Sequence, residues 1–245
     1  MKKLNIQKPA AVLFDTDNTL YHYEPCHEAA MNATRDKAVS LFSITPEQFD
    51  RAFYNARNEI KKRLQHLASS HSRLLYFQRM LELIGLGSQV LLALDLEQTY
   101  WRTFLGKAEL FNGVKDFLDD LRLAKVPTAI VTDLTAQIQF RKIVYFGLDQ
   151  YFDYIVTSEE AGFDKPHPSP FQIALEKMRP AEGPIWMIGD SPTNDIKGAR
   201  ETIGAFTIQK IHEGVIRGHG DTQPDLFIES FNELRDILSE LEAVA

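Results

Sequence analysis

Hydrophobic and polar positions change rhythm twice along this chain. A short unbroken apolar run, Ala10-Ala11-Val12-Leu13-Phe14, comes first. It is too short for a helix, and an apolar run without alternation marks a strand covered on both faces. The run stops at Asp15-Thr16-Asp17-Asn18-Thr19. From about residue 25 to residue 100 the rhythm is helical. Phe49, Phe53, Ala56, Ile60, Leu64 and Leu67 recur at helical spacing with charged residues between them. Thr45-Pro46-Glu47-Gln48 predicts the start of that helix. Thr45 can cap, Pro46 suits the first turn and Gln48 completes a capping box. Further helices are expected over 26–42, 74–84 and 88–100.

After Phe111-Asn112-Gly113 short apolar strands alternate with helices. Strands are predicted at 128–132, 154–156, 185–188, 205–208 and 226–228. Helices are predicted at 114–124, 137–146, 194–203 and 231–241. Ser169-Pro170-Phe171-Gln172 predicts a second capping box, opening a helix that runs to Met178. The stretch 211–223, rich in Gly and His, is expected to be a loop. This alternation predicts an α/β fold, a parallel sheet covered on both faces. The expected domains are a core of residues 1–22 and 101–245 and a helical insertion of residues 23–100.

Composition narrows the class. The chain has 245 residues, of which 44% are hydrophobic, so it can bury a sizeable core. A formal net charge of -7 offers no basic footprint for a nucleic-acid polymer. No apolar run approaches the roughly 18 residues of a membrane span. Met1-Lys2-Lys3-Leu4 is not followed by an apolar stretch, so no secretory signal is expected and a cytoplasmic location is. Cys26 is the sole cysteine, which excludes an intrachain disulfide.

The candidate chemistry lies at the strand ends, because ligands of an open parallel sheet sit beyond the carboxyl ends of its strands. The first strand ends in Asp15 and Asp17. The strand at 128–132 ends in Thr132-Asp133, the one at 154–156 leads to Lys165-Pro166, and the one at 185–188 ends in Gly189-Asp190 with Asp195 five residues on. Carboxylates packed together repel one another, and a divalent cation relieves the repulsion. Magnesium suits an oxygen-rich site with few protein carboxylates. A hydroxyl and an ammonium beside it can hold a phosphoryl group, and a carboxylate can act as nucleophile.

Taken together, Asp15-Thr16-Asp17-Asn18-Thr19, Thr132, Lys165-Pro166 and Gly189-Asp190-Ser191-Pro192-Thr193-Asn194-Asp195 resemble the four motifs of the haloacid dehalogenase superfamily, in order and each after a predicted strand. The likeness spans the chain, with the helical insertion in the place of that family's cap. It implies a Rossmann-like core and a magnesium-dependent phosphatase acting on small phosphorylated metabolites. By that resemblance Asp15 is the nucleophile. Asp17 is the acid that protonates the leaving oxygen and then the base that activates water. Asp15, the backbone carbonyl of Asp17 and Asp190 hold magnesium. Thr132 and Lys165 grip the phosphoryl oxygens, Asp195 orients a metal-bound water or pairs with Lys165, and Thr19 steadies the loop.

Asp17 separates this chain from the dehalogenases, which resemble it in fold but lack an acid two residues after the nucleophile. Asn18 stands where many relatives have Gly; an Asn there resembles the nucleotidase-like members and, with the nearby aromatics, makes a nucleoside monophosphate a candidate substrate, while sugar phosphates and other phosphorylated metabolites stay open. Asp133 stands where many relatives have Asn, and a further charge there must be paired or point away. Tyr21, His22, Asp133 and His167 are candidate substrate contacts, with Tyr21 and His22 placed to stack on a substrate group.

Other features read as structural. Cys26, next to His27, reads as a cap residue rather than a nucleophile or metal ligand. His66 and His71 lack acids at metal spacing, and Lys61-Lys62-Arg63 suits a solvated helix face. Gly85-Leu86-Gly87 lacks the preceding strand of a dinucleotide loop. Three alternatives to hydrolysis stay open. A phosphosugar mutase would use the same Asp15 and Asp17. A phosphonate-cleaving enzyme would need a lysine such as Lys37, Lys61 or Lys62. A binding protein on the same scaffold would have lost an essential residue, and Asp15, Asp17, Lys165 and Asp190 are all present.

Overall fold

The computed structural model describes residues 6–244, so Met1-Lys2-Lys3-Leu4 lies outside the described residues. The chain divides into two compact units. One runs to His22 and resumes at Glu109; the other is Tyr23–Ala108.

The first unit is built on six parallel strands: β1 (Ala11–Phe14), β2 (Thr128–Thr132), β3 (Tyr154–Thr157), β4 (Ile185–Gly189), β5 (Phe206–Lys210) and β6 (Leu226–Ile228). Their spatial order is β3-β2-β1-β4-β5-β6. The register places Leu13 beside Ala129 on one side and Met187 on the other. Every residue of β1, β2 and β4 is buried, as unbroken apolar runs require. Successive side chains point to opposite faces. Accordingly Ala11 and Leu13 join a cluster with Phe171, Ala174 and Met178, whereas the Phe14 ring meets Phe117 and Phe152, with centroids 6.2 and 5.5 Å away.

Helices α5 (Val114–Leu123), α6 (Ala136–Tyr145), α7 (Ser158–Ala161), α8 (Pro168–Met178), α9 (Gly198–Ile203) and α10 (Phe231–Val244) connect or follow the strands; the second unit supplies α1 to α4. The strand order doubles back at β1, whose neighbours β2 and β4 lie on either side. That switch point is where a crevice opens in sheets of this type. The α/β architecture agrees with the expectation.

The second unit holds α1 (Tyr23–Phe42), α2 (Pro46–Leu64), α3 (Arg73–Leu83) and α4 (Val90–Lys107). Helix α1 packs on α4, and α2 on α3. The expected capping box of α2 is present: Thr45 Oγ1 accepts from Gln48 N at 3.2 Å, and Gln48 Oε1 accepts from Thr45 N at 2.8 Å. Phe49, Phe53, Ala56 and Ile60 are buried along one stripe.

Several expectations need correction. A return to the core at residue 101 would cut α4, whose apolar stripe carries Trp101 and Phe104 and continues to Lys107. Leu67 lies beyond α2 and is exposed. The second capping box does not form, because α8 starts two residues early at Pro168 with His167 as its cap. Ser169 Oγ donates instead to the Ala161 carbonyl, at 2.7 Å. The helix expected over 194–203 begins as a π-helical turn, Pro192–Lys197, before α9.

Candidate active site

Three strands deliver the acidic loops. Asp15 follows β1, and its N–H donates to the Ile188 carbonyl of β4 at 2.9 Å. The loop beyond it turns at Asn18, whose φ of 60° lies in the left-handed region. Gly adopts this conformation freely and Asn tolerates it, which explains physically why Asn can replace the commoner Gly here. Thr19 Oγ1 donates to Asp15 Oδ2 at 3.1 Å and fixes one carboxylate oxygen.

Lys165 links the strand ends. Its Nζ lies 2.7 Å from Asp15 Oδ1, 2.6 Å from Asp195 Oδ1 and 2.9 Å from the Val131 carbonyl. The side chain is 2% exposed, so this ammonium has exchanged water for three oxygens. Burial acts to lower its pKa, but Asp15, Asp195 and Asp133 outweigh that and push it well above the ordinary lysine value. It stays charged. Asp195 is also held by the Ser191 N–H, 2.9 Å from Oδ2. Gly189 is required beside it, since a Cβ there would lie 2.4 Å from Asp195 side-chain atoms.

Carboxylate oxygens of Asp15, Asp190 and Asp195 can all lie within 4.8 Å of one another. One lysine cannot neutralise three acids. Burial raises the Asp190 pKa to about 9, with Asp195 and Asp15 adding to it; burial raises Asp15 to about 6 against the pull of Lys165. These acids are held together in a state they resist, and a divalent cation with oxygen ligands would remove the resistance. The donor set, all carboxylate oxygen, fits magnesium. The sequence expectation named Asp15, Asp17 and Asp190. The cluster of carboxylates also includes Asp195, while Asp17, expected to contribute only its carbonyl, turns its carboxylate to Lys142.

Asp17 has its own setting. Lys142 Nζ donates to both of its carboxylate oxygens, at 2.7 and 2.9 Å, and the Tyr21 hydroxyl donates to Oδ1. Lys142 is fully buried on α6. Nothing in the motif reading pointed to Lys142 or to Gln139, one turn before it. Gln139 donates from Nε2 to Thr132 Oγ1 at 2.9 Å and to the Asp133 carbonyl at 2.7 Å. Thr132 Oγ1 in turn lies 2.8 Å from Thr16 Oγ1. A signal was present: Ile138, Gln139, Lys142 and Ile143 form the buried stripe of α6, and a polar pair on an inward stripe requires partners.

The other candidates have structural partners. Asp133 Oδ1 accepts from the Lys165 N–H at 2.8 Å, so this carboxylate braces the lysine loop. Burial raises its pKa to about 6, opposed by Lys165. Tyr21 is fully buried, with its ring 5.0 Å from that of Phe146, and cannot stack on a substrate as expected. His22 packs between Phe111 and His212, at 4.4 and 4.3 Å between centroids. His167 caps α8 through Nδ1 and stacks on Phe163 at 4.2 Å. No helix among the described residues is long and apolar enough to cross a membrane.

Comparison with known proteins agrees with this geometry. Residues 9–201 match the haloacid dehalogenase-like hydrolases. The chain is 35% identical to a ribulose-1,5-bisphosphate 5-phosphatase of Halopiger xanaduensis, over 94% of this chain and 99% of that protein. It is 28% identical to a glyceraldehyde 3-phosphate phosphatase of Methanopyrus kandleri, over 94% and 97%. Among solved structures, the HAD phosphatase of Thermococcus onnurineus superposes with a TM-score of 0.70 at 26% identity, covering 93% of this chain and 97% of that one. The 2-haloacid dehalogenase of Pseudomonas syringae pv. Tomato superposes with a TM-score of 0.74 at 24% identity, over 96% and 99%, a likeness of fold. Motifs, sheet order and matches lead to one assignment: the chain belongs to the haloacid dehalogenase-like hydrolases, on their phosphatase branch.

Proposed function

We propose that this protein hydrolyses small phosphomonoesters with magnesium, through a phosphorylated Asp15. The observation that carries the reading is the buried Lys165 bridging Asp15 and Asp195, beside an Asp190 that burial and its neighbours push up to about 9. Such a site is set to receive a cation and a phosphoryl group together.

The roles follow from position. Asp15, oriented by Thr19 and Lys165, attacks phosphorus, and the bond from phosphorus to the ester oxygen breaks. Asp17 gives its proton to that departing oxygen. Asp17 then takes a proton from water, whose oxygen attacks phosphorus and frees the Asp15 carboxylate. Thr132 and Lys165 hold phosphoryl oxygens, and Gln139 fixes the Thr132 hydroxyl. Asp195 and Asp133 position Lys165 from opposite ends of that residue. Magnesium, held by Asp15, Asp190 and the Asp17 carbonyl, would supply charge neutralisation for the phosphoryl oxygens.

The substrate class is narrowed by the relatives. Those named act on ribulose bisphosphate, glyceraldehyde 3-phosphate and phosphoglycolate. They support a short phosphorylated sugar or acid over a nucleoside monophosphate. No feature of the site favours the mutase reading.

The test is phosphate release from an aryl phosphate and from a panel of sugar phosphates, phosphorylated acids and nucleotides. Release is expected with magnesium, and is expected to vanish with chelator and in Asp15→Asn. Turnover that survives in Asp15→Asn would remove Asp15 as nucleophile. A folded, magnesium-loaded protein inert on every compound would sink the reading.

A further inference from the structure

The stretch 211–218, which follows β5, has no regular structure beyond a turn at Glu213-Gly214. Two polar side chains nonetheless tie it to the loops that carry the acidic site. Neither has a part in the chemistry above.

Gln209 is the first. It lies on β5 in register with Gly189, the residue before Asp190, and it is fully buried. Burying an amide costs free energy unless its donors and its acceptor find partners. Here all of them do. Nε2 donates to the Asp190 carbonyl at 2.7 Å and to the Ile216 carbonyl at 2.8 Å, and Oε1 accepts from the Gly218 N–H at 2.9 Å. Only this orientation of the amide satisfies its surroundings. The reverse would set oxygen against two carbonyls and leave the Gly218 N–H facing a donor.

His212 is the second. Its Nε2 lies 3.0 Å from the Asn18 carbonyl. That oxygen can only accept, so Nε2 carries the hydrogen and donates it. Asn18 is the residue whose left-handed φ turns the loop after β1, and it stands between Asp17 and Thr19. The His212 ring is packed against His22 and Phe111, with centroids 4.3 and 5.1 Å away. The His212 carbonyl accepts from the Val215 N–H at 3.1 Å, which closes the turn leading to Ile216. One short segment is therefore bonded at His212 to the loop after β1 and, through Gln209, to the loop after β4.

We propose that Gln209 and His212 are positioning residues, and that the segment they anchor braces the Asp15 loop against the Asp190 loop so that both present their oxygens to one magnesium ion. The proposal rests on the phosphatase reading. Each side chain acts through a backbone carbonyl, of Asp190 or of Asn18. Magnesium demands near-ideal octahedral geometry, so a small displacement of either loop weakens its hold. Groups that orient metal ligands from behind typically change metal affinity about 10–100-fold when removed.

The test compares the full natural chain with three variants. His212→Phe keeps a ring against His22 and Phe111 and removes the donor. His212→Gln restores a donor at about the same reach. Gln209→Met keeps length and removes every bond of the amide. Amide hydrogen exchange is first followed by NMR with chelator and without substrate. The Leu20 N–H, which donates to the Thr16 carbonyl at 2.9 Å, reports the loop after β1; the Val12 N–H, which donates to the Pro127 carbonyl at 3.0 Å, reports the sheet. In His212→Phe, Leu20 should exchange roughly fivefold faster, the order of one net hydrogen bond, with Val12 unchanged. His212→Gln should restore most of the protection. Magnesium affinity, measured by calorimetry, should fall about tenfold in His212→Phe and in Gln209→Met and recover in His212→Gln. Leu20 exchange that is unchanged, or that rises only in step with Val12, overturns the brace. Magnesium bound equally by the natural chain, His212→Phe and Gln209→Met overturns the positioning role. The exchange comparison needs neither metal nor turnover, so its failure is distinct from failure of the phosphatase reading.

Discussion

The two units differ in how their charges are matched. At the rim of the sheet, Asp15, Asp190 and Asp195 face a single buried ammonium. In the helical unit, the part-buried Arg73 bonds only neutral acceptors, the His71 carbonyl and the Tyr23 and Tyr100 hydroxyls. A folded protein seldom leaves buried charges unmatched, since each costs several kcal/mol or changes its protonation. Where it does, the missing charge belongs to something that binds. The imbalance at the rim asks for a cation.

Asp17 gives the contrast its sharpest test, because it has a lysine of its own. Lys142 and Tyr21 hold it, so its carboxylate stands apart from the unbalanced cluster. Lys142→Met should therefore disturb proton transfer and leave the cluster intact. The expected loss in kcat is about a hundredfold for an alkyl phosphate, the lower range for general acid catalysis. An aryl phosphate leaves without needing a proton and should lose much less. Lys142→Arg should recover part of the alkyl rate. Equal losses on both substrates would mean that Lys142 serves only the fold, and a denaturant titration of the variant would report that directly.

A smaller effect is expected at Gly189, where the unbalanced cluster is held by packing. The Cβ of Gly189→Ala would lie 2.4 Å from Asp195, which cannot move without losing Lys165 or the Ser191 N–H. Overpacking of this kind costs about 1–3 kcal/mol. The midpoint of urea unfolding should fall accordingly, and magnesium should stabilise the variant less than the natural chain. An unchanged midpoint would show that Asp195 is free to shift, and the rim would be softer than its hydrogen bonds imply.

Much of this arrangement was legible in the sequence, for a definable reason. Asp15, Lys165, Asp190 and Asp195 each follow a strand whose apolar run is unmistakable, so their convergence follows from parallel pairing alone. The strands at 128–132 and 226–228 are found at their expected bounds. Helix ends were harder. His167 displaced Ser169 as a cap because Pro168 takes the first turn as readily as Pro170 would. Residues acting from a helix were harder still. Lys142 reaches Asp17 across 125 positions of sequence, and no local rule states which strand-end acid a buried lysine will meet. Tyr21 read as an aromatic placed to stack on a substrate group; its burial depends on packing against Phe146. The helical unit showed its core in its periodicity. Its polar interior was hidden, since Arg73 is an ordinary helix residue until Tyr23 of α1 and Tyr100 of α4 meet it.

The smallest effect probes the positive side of the contrast directly. The His27 pKa is lowered from 6.5 to about 4, first by burial and then by Arg73 and Arg57. Its Nδ1 lies 2.6 Å from the Tyr100 hydroxyl, and its ring stacks on Tyr23 at 5.6 Å. The unfolded chain takes up this proton near pH 6.5, whereas the folded chain resists until about pH 4. The contribution of His27 to stability is thus complete above pH 6.5 and is lost as pH falls through 4. An NMR titration should show the ring neutral throughout the neutral range. Arg57→Gln removes one of the two named charges and leaves burial and Arg73, so the pKa should rise by a fraction of a unit. A larger rise would mean that Arg57 outweighs burial. A His27 that titrates near 6.5 in the natural chain would mean that Arg73 and Arg57 are already neutralised, and the contrast between the two units would not hold.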